Sequence, residues 1–255
     1  RGLAVTTVHE PVIQGTGGGL RGLQRALPGD EVVIAWNGDI LFAPDLEALL
    51  VEHRASGAAA TMLLLPMPEG RSYGVVEIDA GGRVRRIGRP APSPAPGCTA
   101  WHFSGVHLLS PRLFEVMAPE GPEDINHDVY PRLFAEGAVR GVVVNAPWSD
   151  LGSPVTYLEA QADLISGRIP DPLGAESPLA GRTGTGPLLE PGARVHADAE
   201  LAPDVFVAAG VDVPAGARVW TSALLSGAQI EPAETISEEI RWDGQRLSGP
   251  GSSRP

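Results

Sequence analysis

Short apolar runs alternate with amphipathic segments between residues 3 and 168. Leu3–Val8 and Glu31–Trp36 are short, mainly apolar runs of the kind that form buried strands. Between them, Gly19–Leu27 carries leucines at helical spacing, so we expect a helix there. This alternation of strand and helix patterns predicts one α/β layer domain over residues 1–168.

The rest of this domain follows the same pattern. Tyr73–Asp79 and Arg83–Ile87 flank a glycine-rich turn and are predicted to form a hairpin. The other predicted strands are Ala59–Leu65, Trp101–Leu109 and Val139–Asn145, and the other predicted helices are Asp45–Ala55, Pro111–Met117, His127–Gly137 and Pro154–Gly167.

A six-residue period begins after a Pro/Gly-rich linker at residues 169–186. Aliphatic residues recur at an interval of six, at Leu189, Val195, Leu201, Val207, Val213, Val219 and Leu225. Such a period places one aliphatic side chain per short strand inside a three-sided parallel β-helix. We therefore expect a β-helix over residues 187–236, an oligomer contact through it, and a disordered tail over residues 237–255.

Composition narrows the function classes. The chain has 19 basic and 31 acidic residues and a net charge of −12, which argues against a nucleic-acid polymer or an anionic membrane as partner. No apolar run approaches the roughly eighteen residues that span a bilayer. Cys98 is the single cysteine, which excludes an internal disulfide and favours a reducing, cytoplasmic setting.

Four glycines surround a threonine in the segment Gln14–Leu20, just before the predicted helix. Bare backbone at a helix start lets a flat base or a phosphate approach N–H groups closely. A tight connection without a ligand would explain the same glycines, so this motif alone leaves both readings open.

Two aspartates follow predicted strands. Asp39 ends Asn37-Gly38-Asp39 after the strand at residues 31–36, and Asp150 lies in a strand–turn–helix junction before Pro154. Carboxylates at strand ends commonly bind Mg²⁺ together with substrate phosphate oxygens. Turn formation and helix capping, for which Ser153 is suited, are the alternatives. Asn126 is similarly predicted to cap the helix that follows it.

Together these motifs resemble those of the sugar-1-phosphate nucleotidylyltransferases, most closely the mannose-1-phosphate guanylyltransferase type. The resemblance covers nearly the whole chain, and it implies a Rossmann-like domain with a mixed sheet followed by a short left-handed parallel β-helix. It also implies an enzyme that forms an NDP-sugar and pyrophosphate from an NTP and a sugar 1-phosphate, with Mg²⁺ as cofactor.

The resemblance implies a role for individual residues. Asp39 and Asp150 match the metal-binding segments, and Arg89 matches a phosphate-binding position. The residues matching nucleotide-binding positions are Gln14, Gly15, Thr16, Gly17, Asn37 and Gly38, and those matching sugar-binding positions are Tyr73, Gly74, Ser104 and Gly105.

Two departures from the family pattern bear on activity. The family's glycine-rich signature, with an Arg followed by Pro-Lys, is absent, and the chain looks like a truncated copy. Gly88 and Arg89 stand where the family has Glu and Lys, which leaves a positive charge but removes a sugar-holding carboxylate. We therefore expect little transferase activity from these 255 residues alone.

Two other functions stay open. A non-catalytic sugar-nucleotide-binding or regulatory subunit would keep the fold without the signature. An acyltransferase that uses the β-helix would need a catalytic histidine, for which His196 is the candidate near the first coil.

Overall fold

The computed structural model describes residues 4–24, 26, 31–69, 73–89, 93–174, 177, 179–182 and 184–249. Within these ranges the helices are α1 (Gly15–Gln24), α2 (Leu46–Ser56), α3 (Pro111–Glu115), α4 (Pro131–Phe134) and α5 (Pro154–Ile165), with a π-helical turn at Ile125–Val129. In this described part, no helix is long and apolar enough to cross a membrane.

The chain forms two compact units. Unit 1 comprises Arg1–Gly38 and Pro44–Ala146, and unit 2 comprises Asp39–Ala43 and Pro147–Pro255. This division differs from the boundary predicted at residue 168. The reason is that a short strand at residues 40–42 pairs with one at residues 148–150, so both join the C-terminal unit.

Unit 1 contains one mixed sheet. Its strands are β1 (Val33–Trp36), β3 (Ala60–Leu65), β4 (Val75–Asp79), β5 (Val84–Gly88), β6 (Cys98–Leu109) and β7 (Val139–Val143). The order is β5-β4-β6-β3-β7, with β1 also paired to β6. The pair β3–β7 is parallel and the others are antiparallel. The mixed α/β fold is therefore as predicted.

Helices and the π-helical turn pack their apolar residues on this sheet. Met62, Leu64 and Val76 on the strands lie in one core with Leu113 of α3 and Ile125 of the π-helical turn. Strand β3 is buried at every position, because it is paired on both edges and covered on both faces.

The N-terminal strand prediction is wrong for the residues that the structure describes. Residues 4–8 form no strand, and Val5 is 83% exposed. An apolar run becomes a buried strand only where a sheet edge accepts it, and no described strand pairs with this segment. Leu3, the first residue of the predicted strand, lies outside the described residues.

Among the buried histidines of unit 1, His53 and His107 are neutral at pH 7. Nδ1 of His107 lies 2.5 Å from the Tyr130 hydroxyl, and burial lowers the pKa of His107 to about 3. His53 contacts Thr61 and Ser110 through its two ring nitrogens, and burial lowers its pKa as well. In the unfolded chain a histidine imidazole has a pKa near 6.5. Below that pH, these two histidines therefore bind fewer protons in the folded state than in the unfolded state.

Unit 2 contains a short pair of antiparallel strands, β2 and β8, and a solenoid. Its strands are β2 (Ile40–Phe42), β8 (Trp148–Asp150), β9 (Leu188–Leu189), β10 (Arg194–Val195), β11 (Glu200–Leu201), β12 (Phe206–Val207), β13 (Asp212–Val213), β14 (Arg218–Trp220), β15 (Ala223–Leu224), β16 (Thr235–Ser237), β17 (Glu239–Trp242) and β18 (Gln245–Ser248). Strands β9 to β17 stack in three parallel sets, which confirms a short parallel β-helix.

The six-residue period holds until Val219 and then changes. Val195 pairs with Val213, eighteen positions later, but Val207 pairs with Leu224, only seventeen positions later. Leu224 is therefore the buried residue, where the period predicted Leu225. The coil is shortened at a corner where Thr221 has a φ of 41°.

The tail prediction is wrong for residues 237–249. Strands β17 and β18 form an antiparallel hairpin there, and Ile240 is buried. Asp243 and Gly244 at its turn both have positive φ, as in a type I′ hairpin turn. The Asp-Gly pair is a strong hairpin signal that the tail prediction overlooked. Residues 250–255 lie outside the described residues.

Arg241 occupies an inward position on the last strand of the solenoid. In the stacked parallel strands, Val207 pairs with Leu224, and Leu224 pairs with Arg241. The column of inward-facing residues therefore ends in an arginine. The Arg241 guanidinium is buried and pairs with Glu234 and Glu239, each at 2.8 Å. A charge at this place is tolerated because carboxylates satisfy it.

Acidification should destabilise unit 1 through His107. The pKa of His107 is lower in the folded state than in the unfolded state. The free energy of unfolding is therefore highest above pH 6.5 and decreases as the pH falls below it, by roughly 1.4 kcal/mol per pH unit. Urea unfolding between pH 7 and pH 5 should show a shallower pH dependence for His107→Gln than for the parent. Exposed His127→Gln is the control, and an NMR titration of His107 above pH 5 would contradict the expectation.

Replacing Val207 by Asp should unfold the solenoid. Val207 is fully buried among aliphatic residues, so the new carboxylate would lack a partner and cost roughly 3–5 kcal/mol. Thermal unfolding followed by circular dichroism measures the loss. Trp220→Ala, at a position 38% exposed on the same solenoid, should leave the melting temperature almost unchanged. Equal melting of parent and Val207→Asp would show that this side chain does not point inward.

Candidate functional site

Asp39 and Asp150 lie close together in unit 2. Strands β2 and β8 pair with Ile40 opposite Asp150, and the Leu151 N–H donates to the Asp39 carbonyl at 2.7 Å. Both carboxylates lie beside Gly152. A Cβ atom added to Gly152 would be 3.3 Å from Asp39 Oδ2 and 2.9 Å from Asp150 Oδ1. The two oxygens are thus separated by no more than about 6 Å, within reach of one hydrated ion.

Gly152 keeps the space between these carboxylates open. Its N–H donates to Asp150 Oδ1 at 2.8 Å, which orients that carboxylate. Directly after it, Ser153 and Thr156 form a capping box at the start of α5, with Pro154 in the first turn. Helix capping, the alternative considered for Asp150, therefore belongs to Ser153, as the sequence indicated.

The aspartate pair fits Mg²⁺ better than a metal that needs an all-protein cage. Asp39 is exposed and Asp150 is half-buried, so water reaches the pair. In the described part of the chain, no group of three or more His, Cys, Asp or Glu side chains is arranged to hold a metal. Mg²⁺ commonly uses one or two carboxylates and completes its shell with water and phosphate oxygens.

The glycine-rich segment in unit 1 is helical, not a loop. Helix α1 begins at Gly15, and the N–H groups of Gly17 and Gly18 donate to the carbonyl of Glu123 at 2.8 and 3.1 Å. A Cβ at Gly17 would lie 2.9 Å from that carbonyl oxygen. Glycine is thus required here by close packing, and these two amides already have protein acceptors.

The neighbouring predicted residues also make internal contacts. The Thr16 hydroxyl donates to Asp124 and accepts the Ile125 N–H at 3.0 Å. The Gln14 N–H donates to Glu10, and its carbonyl accepts the Glu123 N–H at 2.8 Å. Gln14 lines a separate cavity of about 530 Å³ beside Arg21 and Met117.

Gly15, Thr16 and Asn37 lie together on a groove of about 570 Å³ in unit 1. Trp36 and Phe103 contribute aromatic rings to this groove, and the other lining residues are Gly19, Leu20, Leu23, Val33, Ile34, Ala35, His107, Ile125 and Asn126. A groove with aromatic and apolar walls and a few polar groups suits a flat base. Gly38, in contrast, is exposed at the end of unit 1 with open space around its Cα.

The predicted sugar-contacting residues lie at two places on the sheet of unit 1. Tyr73 precedes β4, and its ring stacks on His102 with centroids 5.2 Å apart. Gly74, next to it, is exposed. Ser104 and Gly105 lie within β6 and are buried; the Ser104 hydroxyl accepts the Val106 N–H at 3.3 Å.

Two carboxylates, Glu123 and Asp124, support these segments. Glu123 is buried and pairs with Arg132 at 2.6 Å, and its backbone holds α1. Asp124 Oδ1 accepts the N–H groups of Asn126 and His127, so Asp124 is the cap of the π-helical turn, where Asn126 was predicted. An acidic pair before a helix is a capping signal that could have indicated Asp124.

Two other predicted positions are exposed. Arg89 directly follows β5, and its carbonyl accepts a hydrogen bond from Arg86. His196, the acyltransferase candidate, lies on the solenoid with Nδ1 accepting the Asp198 N–H at 3.1 Å.

The chain is similar in sequence to several known proteins. The chain is 29% identical over 233 residues to a mannose-1-phosphate guanylyltransferase of Mycobacterium tuberculosis, covering 90% of this chain and 62% of that protein. It is 29% identical over 241 residues to a glucose-1-phosphate thymidylyltransferase of Streptomyces griseus, covering 89% and 64%. Among solved structures, HddC from Yersinia pseudotuberculosis matches with a TM-score of 0.48 and 22% identity over 59% of this chain and 63% of that one.

The chain thus spans less than two thirds of the length of these relatives. A family model described as nucleotidyl transferase matches residues 2–167, well over half of the chain. This protein belongs to the nucleotidyl transferase family.

Proposed function

We propose that this protein forms an NDP-sugar and pyrophosphate from an NTP and a sugar 1-phosphate, with GTP and mannose 1-phosphate as substrates. The observation that carries the proposal is the Asp39–Asp150 pair around Gly152. The activity and substrates named for the relatives in M. tuberculosis and S. griseus support the reaction class. The lone cysteine is consistent with a cytoplasmic setting.

In this reaction an oxygen of the sugar phosphate attacks the α-phosphorus of the NTP. A new P–O bond forms, the bond from the α-phosphorus to the bridging oxygen breaks, and pyrophosphate leaves with that electron pair. Repulsion between the two anions opposes the approach. Catalysis therefore depends on positioning and on charge neutralisation rather than on a covalent nucleophile.

The residues of this chain can supply both requirements. Asp39 and Asp150 would hold Mg²⁺, which when bound neutralises phosphate charge and orients phosphate oxygens. Arg89 would bind the sugar phosphate through its guanidinium. The groove of Gly15, Thr16 and Asn37 would take the base and ribose, with an aromatic wall for stacking.

A non-catalytic sugar-nucleotide-binding subunit is the alternative. It is favoured by the hydrogen bonds that the Gly17 and Gly18 amides make to the Glu123 carbonyl, which leave fewer N–H groups for phosphate.

For either function we also propose self-association through the solenoid, where Trp220 is exposed. Light scattering, which measures the oligomeric state, tests this contact by comparing the parent protein with Trp220→Ala.

Neutralising either aspartate should weaken metal binding. With Mn²⁺ as a paramagnetic probe, Asp39→Asn and Asp150→Asn should each lower the affinity by about tenfold or more, because each removes one of two carboxylate ligands. Gly152→Ala should also weaken binding without changing charge, since its methyl group would stand 2.9 Å from Asp150 Oδ1. Exposed Asp198→Asn in the same unit is the control. Unchanged Mn²⁺ binding in both aspartate variants would contradict the site.

Pyrophosphate release from GTP and mannose 1-phosphate tests the reaction itself. The 255 residues contain no lysine and so no Pro-Lys signature; we expect slow turnover from them. Joining a segment that carries the glycine-rich signature with Pro-Lys should raise the rate by about a hundredfold or more, because positioning and charge stabilisation supply most of the acceleration. Binding of GDP-mannose with no turnover in either form would favour the non-catalytic alternative. Full turnover by the chain alone would contradict the need for the signature.

A further inference from the structure

Glu77 is a buried carboxylate that none of the proposed steps uses. It lies on β4 and is 1% exposed. Its Oε1 accepts a hydrogen bond from Arg86 Nη2, and its Oε2 accepts the Ala95 N–H at 3.3 Å. The hydrogen bond from Arg86 lowers the pKa of Glu77, so this buried group is an anion at neutral pH.

Arg86 extends this contact to the end of β5. Glu77 and Arg86 are direct partners across the β4–β5 ladder, so their side chains share one face of the sheet. From there Arg86 Nη1 donates to the Arg89 carbonyl at 3.2 Å. The guanidinium passes beside Gly88, where a Cβ would lie 3.5 Å from Nη1.

One carboxylate is therefore linked to the backbone at two described residues, Arg89 and Ala95. Arg86 connects it to the backbone of Arg89, and the direct hydrogen bond connects it to Ala95. We propose that Glu77 and Arg86 are positioning residues that set the backbone of Arg89 and thereby the affinity for the sugar phosphate. This inference rests on the proposed function, which assigns phosphate binding to Arg89.

Closing the hairpin does not require a buried charge. At the other end of the same two strands, Asp79 accepts the Gly81 and Arg83 N–H groups and pairs with Arg85 at 2.6 Å. Asp79 does this with its side chain 23% exposed, so the turn is held without burying a charge. An ion at the position of Glu77 costs desolvation, which the hydrogen bonds from Arg86 and Ala95 offset.

The test compares Glu77→Gln with Asp79→Asn, which makes the matching change at the other end of the hairpin. Glu77→Gln should lower the affinity for mannose 1-phosphate by about tenfold, measured by calorimetry, because a charge-assisted hydrogen bond to Arg86 is lost. GTP affinity and Mn²⁺ affinity should not change. In the form that carries the signature segment, KM for mannose 1-phosphate should rise while kcat stays nearly constant. Asp79→Asn should leave all of these values unchanged.

Circular dichroism at the assay temperature establishes that each variant is folded. Equal loss of mannose 1-phosphate affinity in Glu77→Gln and Asp79→Asn would overturn the inference, since it would reflect general loosening of the hairpin. Arg89→Ala must also weaken binding. A variant that binds normally would overturn the inference together with the role of Arg89, while the proposed reaction and the Asp39–Asp150 site would stand. A parent protein that binds GTP and Mn²⁺ but not mannose 1-phosphate would overturn both.

Discussion

The backbone of β6 is the constraint on which unit 1 depends. One edge of this twelve-residue strand pairs first with β4 and then with β1, and the other edge pairs with β3. The partner changes next to Gly105, whose φ of 84° is accessible to glycine, and whose carbonyl accepts the Asn37 N–H at 3.0 Å. A single peptide of β6 therefore places the end of β1, where Trp36 and Asn37 meet the groove.

A second dependence runs through the backbone of Glu123. Its carbonyl accepts two amides of α1, its N–H donates to Gln14, and its side chain pairs with Arg132. Glycines in a helix normally cost stability, but here no side chain would fit between the helix and this carbonyl. The same composition suggested ligand binding from the sequence, and the structure adds that close packing requires a glycine at position 17.

Periodic features were predictable because they depend on near neighbours. The strands of unit 1, the repeat of the solenoid and the cap at Ser153 all have local signals, and the structure contains them. The exposed segment at residues 4–8 was not predictable in this way, because burial depends on a pairing partner distant in sequence. Likewise, the division of the chain depends on β2 pairing with a strand more than a hundred residues later.

The candidate site shows the same limit. Asp39 and Asp150 were paired by one rule, that ligands collect at strand ends, and their proximity followed from it. The ladder that joins Glu77 to Arg86 has no sequence signature, since a Glu and an Arg nine positions apart are neighbours only once the register of the hairpin is known. This contact therefore becomes visible only in the folded structure.

Arg241 has a consequence for how the solenoid can change in evolution. Repeat proteins gain and lose coils by duplication, because each coil offers the next one an apolar stack and open strand edges. Here the inward column ends in a guanidinium already matched by Glu234 and Glu239, and a hairpin follows it. A coil inserted beyond Arg241 would have to bury this ion against aliphatic side chains. The length of the solenoid can therefore vary on the N-terminal side of Arg241, while its C-terminal end is electrostatically closed.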